Sequence, residues 1–124
     1  MASLPRPEVP NSYTAMHQLK WSYAEKAIAR KAFDKALQQE FAAVIAEAKK
    51  RAGRMQEPSE LWKLESYLTR RRQEIDRLYD YRYSVLPFVF ASLIRKDRLG
   101  EEELHGLADD KLAEIRLYLR ASKL

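Results

Sequence analysis

The chain contains no cysteine, three glycines and two histidines. Without a thiol there is no disulfide framework, no thiolate metal site and no cysteine nucleophile. His17 and His105 stand far apart, so histidine-centred catalysis or zinc binding has no local pattern to rest on. Gly53, Gly100 and Gly106 are scattered and cannot build a glycine-rich phosphate loop. The longest apolar run, Val85–Ile94, is about half of the ~20 residues that a membrane span requires. The polar, proline-rich opening Met1–Pro10 lacks the apolar stretch of a secretory signal. These absences lead us to expect a soluble, cytoplasmic protein that is not an enzyme and uses no metal or cofactor.

What is present suits one domain. The 124 residues are 46% hydrophobic and 33% charged, an ordinary globular balance. Lys and Arg number 23 against 18 Asp and Glu, a net charge of +5 with both signs interspersed. That excess is too modest and too mixed to favour a nucleic-acid binder over a solvated surface with a basic tilt. Pro5, Pro7 and Pro10 mark residues 1–20 as a flexible leader, followed by a single helical domain over 21–124.

The domain reads as all-α. Ser22 with Glu25 three residues on forms a capping box that starts a first long helix. Its apolar stripe is Phe33, Leu37, Phe41, Val44 and Ala48, and Gly53 is expected to end it. Pro58 and Ser59 open a second long helix running to Arg82, with Leu61, Leu64, Leu68, Ile75 and Leu78 as its core stripe. The third, Val85–Ile94, is apolar nearly all round and tolerates Pro87 only in its first turn. One chain of this size is expected to need a second copy to cover it. An acidic turn, Glu101–Glu103, leads into a last helix through Leu104, Leu107, Leu112, Ile115 and Leu119, closed by the basic Arg116, Arg120 and Lys123. The predicted architecture is an elongated bundle of about four helices, two of them long, forming a homodimer.

Three places merit a functional reading. Trp62, Glu65, Thr69, Arg72 and Asp76 share one face of the second helix, and tryptophan with arginine on a mixed face suits a binding hot spot. Arg70, Arg71 and Arg72 with Tyr67, Tyr79, Tyr81 and Tyr83 offer phosphate contacts and stacking. Three consecutive arginines, however, fan over ~200° of a helix and form no single patch. Phe88–Val89–Phe90 is either core or a partner-binding patch. The carboxylate runs Glu101–Glu103 and Asp109–Asp110 are explained by helix N-terminal charge preference.

The ordered set Leu61-Trp62-Lys63-Leu64, Arg72, Glu74-Ile75-Asp76, Tyr79-Asp80, Arg82, Ser84-Val85 and Phe88-Val89-Phe90-Ala91 resembles the fluorescence recovery protein family of cyanobacteria. The likeness extends more loosely from Phe33 to Leu119. It implies an all-helical homodimer without chromophore or metal that binds the light-activated orange carotenoid protein, chiefly through its C-terminal domain. Binding would speed return from the red to the orange form and detach that protein from the phycobilisome, ending photoprotective quenching. The resemblance assigns Trp62 and Arg72 to dimer formation and Phe88 to the partner contact. Glu65, Ser66 and Glu114 depart from it: relatives carry His then Asp at the first two positions and Lys at the third. Charge reversal at an interface redirects recognition. A homodimer of the same scaffold acting on a different, non-carotenoid partner is therefore the alternative.

Overall fold

The computed structural model describes residues 19–121, which form helices and turns and no strands. Four α-helices follow in order: α1 (Tyr23–Arg54), α2 (Pro58–Leu78), α3 (Leu86–Arg95) and α4 (Asp109–Ala121), with a 3-10 turn at Glu101–Leu104. Residues 1–18 of the expected leader, and Lys123 of the basic end, lie outside the described residues.

The capping box at the start of α1 forms as the sequence predicts. Ser22 Oγ accepts from the Glu25 N–H at 3.1 Å, and Glu25 Oε1 accepts from the Ser22 N–H at 2.9 Å. The 32 residues of α1 make a rod of ~48 Å. Gly53 does not end it. That glycine stays helical, and the chain leaves through Met55 at an extended φ of −70°. Pro58 follows closely and favours extended backbone just ahead of it, so the turn needs no left-handed residue. Glu60 Oε2 closes the corner by accepting from the Gln56 and Glu57 N–H groups at 2.7 and 3.3 Å.

The α1–α2 hairpin is half of the molecule. The other half is a head in which the N-terminal part of α1, α3, the 3-10 turn and α4 enclose one apolar core. Ala29, Ala32, Phe33 and Ala36 on α1 meet Leu86, Val89, Phe90 and Leu93 on α3, capped by Leu99, Leu104, Leu107 and Ile115. Pro87 occupies the first turn of α3 as expected. The expectation that a second copy must cover α3 is overturned, because Leu86, Val89, Phe90, Ala91 and Leu93 are already buried in the single chain, with α4 packed over the helix and α1 side chains completing the core. Phe88 is the one large apolar side chain of α3 left exposed.

Two boundaries beyond α1 differ from the sequence reading. α2 stops at Leu78 instead of Arg82, since Tyr79 and Tyr81 turn back to pack edge-on against Phe33 at centroid distances of 5.5 and 4.9 Å. The last expected helix is two pieces, because Gly106 adopts φ 104° and breaks the chain between the 3-10 turn and α4. That break lets Leu104 and Leu107 both enter the core. The stripes on the long helices also shift. On α1 the buried line is Ala29, Phe33, Ala36 and Glu40, rotated from the Phe33–Phe41 stripe, and on α2 only Tyr67 and Ile75 are buried.

Candidate functional site

A helix step of 100° puts Leu61 and Leu68 on one side of α2, and Phe41 and Ile45 on the matching side of α1. The four are between 40% and 54% exposed in the single chain. Phe41, Leu61 and Leu68 of the predicted stripes, with Ile45, thus form an apolar face left open among the described residues, while Phe33 and Ile75 of the same stripes are buried. Trp62, 65% exposed, stands beside Leu61 at its border. Arg72, one turn after Leu68, is exposed and enters no ion pair among the described residues. Asp76 is exposed too and is not its partner, while Glu65 instead accepts from the Thr69 hydroxyl at 3.0 Å.

The three arginines do fan apart. Arg71 points inward to Glu40 and Glu74, Arg70 lies over the Tyr67 ring, and Arg72 points out. The tyrosines of the basic-aromatic reading are engaged in packing: Tyr67 is buried, and Tyr79, Tyr81 and Tyr83 lie against the core. No stacking platform for bases results.

On the head, Phe88 is 46% exposed and meets Tyr118 edge-on, with ring centroids 5.4 Å apart. Leu117 is exposed nearby on α4. Glu114, one turn before Tyr118, has Oε2 shielded from solvent with no donor among the described residues. Burial first, and the Glu114 charge second, raise the Tyr118 hydroxyl above its ordinary pKa.

Two buried charge clusters escape the sequence reading. Glu40 is fully enclosed, yet it gathers Arg71, Lys96 Nζ at 3.4 Å, Arg98 Nε at 3.2 Å and the Tyr79 hydroxyl at 2.9 Å. Burial works to raise its pKa, but these donors outweigh it and hold the carboxyl at about 2. The second cluster joins the starts of α1 and α4. Glu25 accepts from the Ala108 N–H at 2.8 Å and from Lys111 Nζ at 3.1 Å, and Lys111 also donates to the Lys20 carbonyl. Here too hydrogen bonds overcome burial and set Glu25 at about 2. The signal for Glu40 was its register, four residues after Ala36 on the buried line of α1. Lys111 carries the same kind of signal, four residues after Leu107 and four before Ile115, both buried.

The clusters are structural, and the exposed faces are the candidate sites. Among the described residues no group of His, Cys, Asp or Glu could hold a metal, and no helix is long and apolar enough to cross a membrane. The family model described as photoprotection regulator fluorescence recovery protein matches residues 21–118. The fluorescence recovery protein of Synechocystis sp. PCC 6803 is 40% identical over 100 residues, which cover 81% of this chain and 92% of that protein. Its solved structure superposes with a TM-score of 0.78, over 82% of this chain and 99% of that one. The fluorescence recovery protein of Fremyella diplosiphon, 42% identical, gives 0.77 with the same coverage. The chain belongs to the fluorescence recovery protein family of photoprotection regulators.

Proposed function

We propose that two copies of this chain pair through the apolar face of the hairpin, and that the pair acts in the cytoplasm on the light-activated orange carotenoid protein. It binds chiefly the C-terminal domain of that protein, speeds its red-to-orange return and detaches it from the phycobilisome. No bond need be made or broken. A scaffold that holds the route between two conformations more tightly than the starting state lowers the barrier between them. Trp62 and Arg72 serve the pairing, and Phe88 contacts the partner. The observation that carries this reading is Phe88, left exposed on a helix whose other large apolar side chains are buried or half-buried, on the head rather than on the hairpin.

The test mixes the protein with photoactivated orange carotenoid protein and follows the decay of red absorbance in darkness. Acceleration is expected, and Phe88→Ala should reduce it about tenfold or more, as for an aromatic hot spot. No acceleration by the wild type would reject the proposal. One observation favours a second reading: Glu114 places a shielded negative charge beside the Tyr118–Phe88 patch, where the resembling proteins have lysine. On that reading the scaffold pairs in the same way but serves a non-carotenoid partner. A stable dimer without effect on several carotenoid-protein variants would select it.

A further inference from the structure

We infer that the side of the α1–α2 hairpin opposite its apolar face is a docking cleft for an acidic segment of a partner protein. Lys63 and Arg70 each lie two residues, or 200° of helix, beyond Leu61 and Leu68, so they point away from the pairing face. There they meet the last turns of α1. A cavity of about 250 Å³ is lined by Arg51, Arg54, Glu60, Lys63 and Leu64. A second, a shallow depression of about 420 Å³, shares Arg51 and Lys63 and extends to Arg70 on one side and to Trp62, at the border of the pairing face, on the other.

The cations are set to receive oxyanions. The Arg51 guanidinium stacks on Tyr67 at 4.3 Å, and its Nε is held by Glu47 Oε2 at 2.8 Å. Its two terminal nitrogens have no partner among the described residues, which leaves the fork that binds a carboxylate through both oxygens. Arg70 lies over the same ring at 5.6 Å, with its Nε 3.9 Å from Glu74 Oε2. Lys63 and Arg54 form no ion pair among the described residues, and Glu60 is engaged with the backbone of the α1–α2 corner. Arginines already held by a ring and a carboxylate lose little freedom on binding.

The dimensions favour polypeptide over nucleic acid. From Lys63 to Arg70 is ~10 Å along the helix, room for two or three carboxylates. Glu60 and Glu74 bound the stretch at its two ends, so a continuous phosphate track would run onto like charge. The cleft does not depend on which protein the head recognises.

Fluorescence anisotropy with a labelled oligoglutamate peptide at low salt tests this. Wild type should bind, and Lys63→Glu and Arg70→Glu should each weaken binding about tenfold. Lys31→Glu, the same charge change on the distant part of α1, should leave it unaltered. Thermal melts and light scattering would show the variants folded and paired as before. Absence of wild-type binding overturns the proposal, as does an equal loss in Lys31→Glu. So does tighter binding of a single-stranded oligonucleotide that the same cleft variants abolish.

Discussion

Glu40 survives in a fully enclosed position because three cations and a phenol surround it. It is where α1, α2 and the loop after α3 are tied together. Glu40→Gln keeps the shape but leaves Lys96 and Arg98 without their enclosed carboxylate, and Arg71 with Glu74 alone. Urea unfolding should show a loss of about 3–5 kcal/mol, the usual result of breaking a buried ion pair from one side. The same carboxylates set the acid limit. Glu25 and Glu40 titrate at about 2 in the folded chain against an ordinary value of 4.5. Their contribution is therefore whole above pH 4.5 and is lost as pH falls towards 2. The melting midpoint should drop across that interval, less steeply in Glu40→Gln. At this scale the sequence was half legible. The Ser22–Glu25 box follows from local spacing, but the reach of Glu25 to Ala108 joins residues 83 apart in the chain.

Among the elements, the two glycines near helix ends have opposite roles. Gly106 sits at φ 104°, and a Cβ there would come within 2.7 Å of the Ile28 Cδ1. Gly106→Ala should destabilise by about 1–2 kcal/mol, read from the urea midpoint. Gly53 lies inside the last turn of α1, with nothing within 4 Å of an added Cβ. Gly53→Ala should therefore stabilise by about 0.5–1 kcal/mol. From sequence Gly53 read as the breaker and Gly106 as part of the last helix, and the backbone dihedrals reverse the two. The first three helix starts were legible, because capping side chains and prolines act within one turn; the start of α4 at Asp109 was not. The end of α2 was not, since Tyr79 leaves the helix to reach Phe33 and the Ala36 carbonyl, more than 40 residues away in the chain.

For the molecule as a whole, the division of labour is between a self-sufficient head and a hairpin with one uncovered side. If that side pairs two chains, Ile45→Asp or Leu68→Glu should give monomers by light scattering, with helical content by circular dichroism unchanged. Phe88→Ala should leave the pair intact while impairing partner contact, because it lies on the head. A wild-type sample that remains monomeric at high concentration would remove the pairing surface from the account.

Local chemistry alone determined that this chain is helical, where its first three helices begin, and that its arginine run could not form one patch. Periodicity also showed that Leu61, Leu68 and Phe41 are apolar at helical spacing, because a 3.6-residue repeat is written in neighbouring positions. It could not tell whether those stripes face a core or open water, since that depends on what packs opposite. Only the tertiary structure decided that α3 is covered within the chain, that the hairpin stripes are not, and that Glu40 is buried. Each of those facts depends on which distant segments meet, and local pattern goes no further than the register that puts Glu40 in line with Ala36.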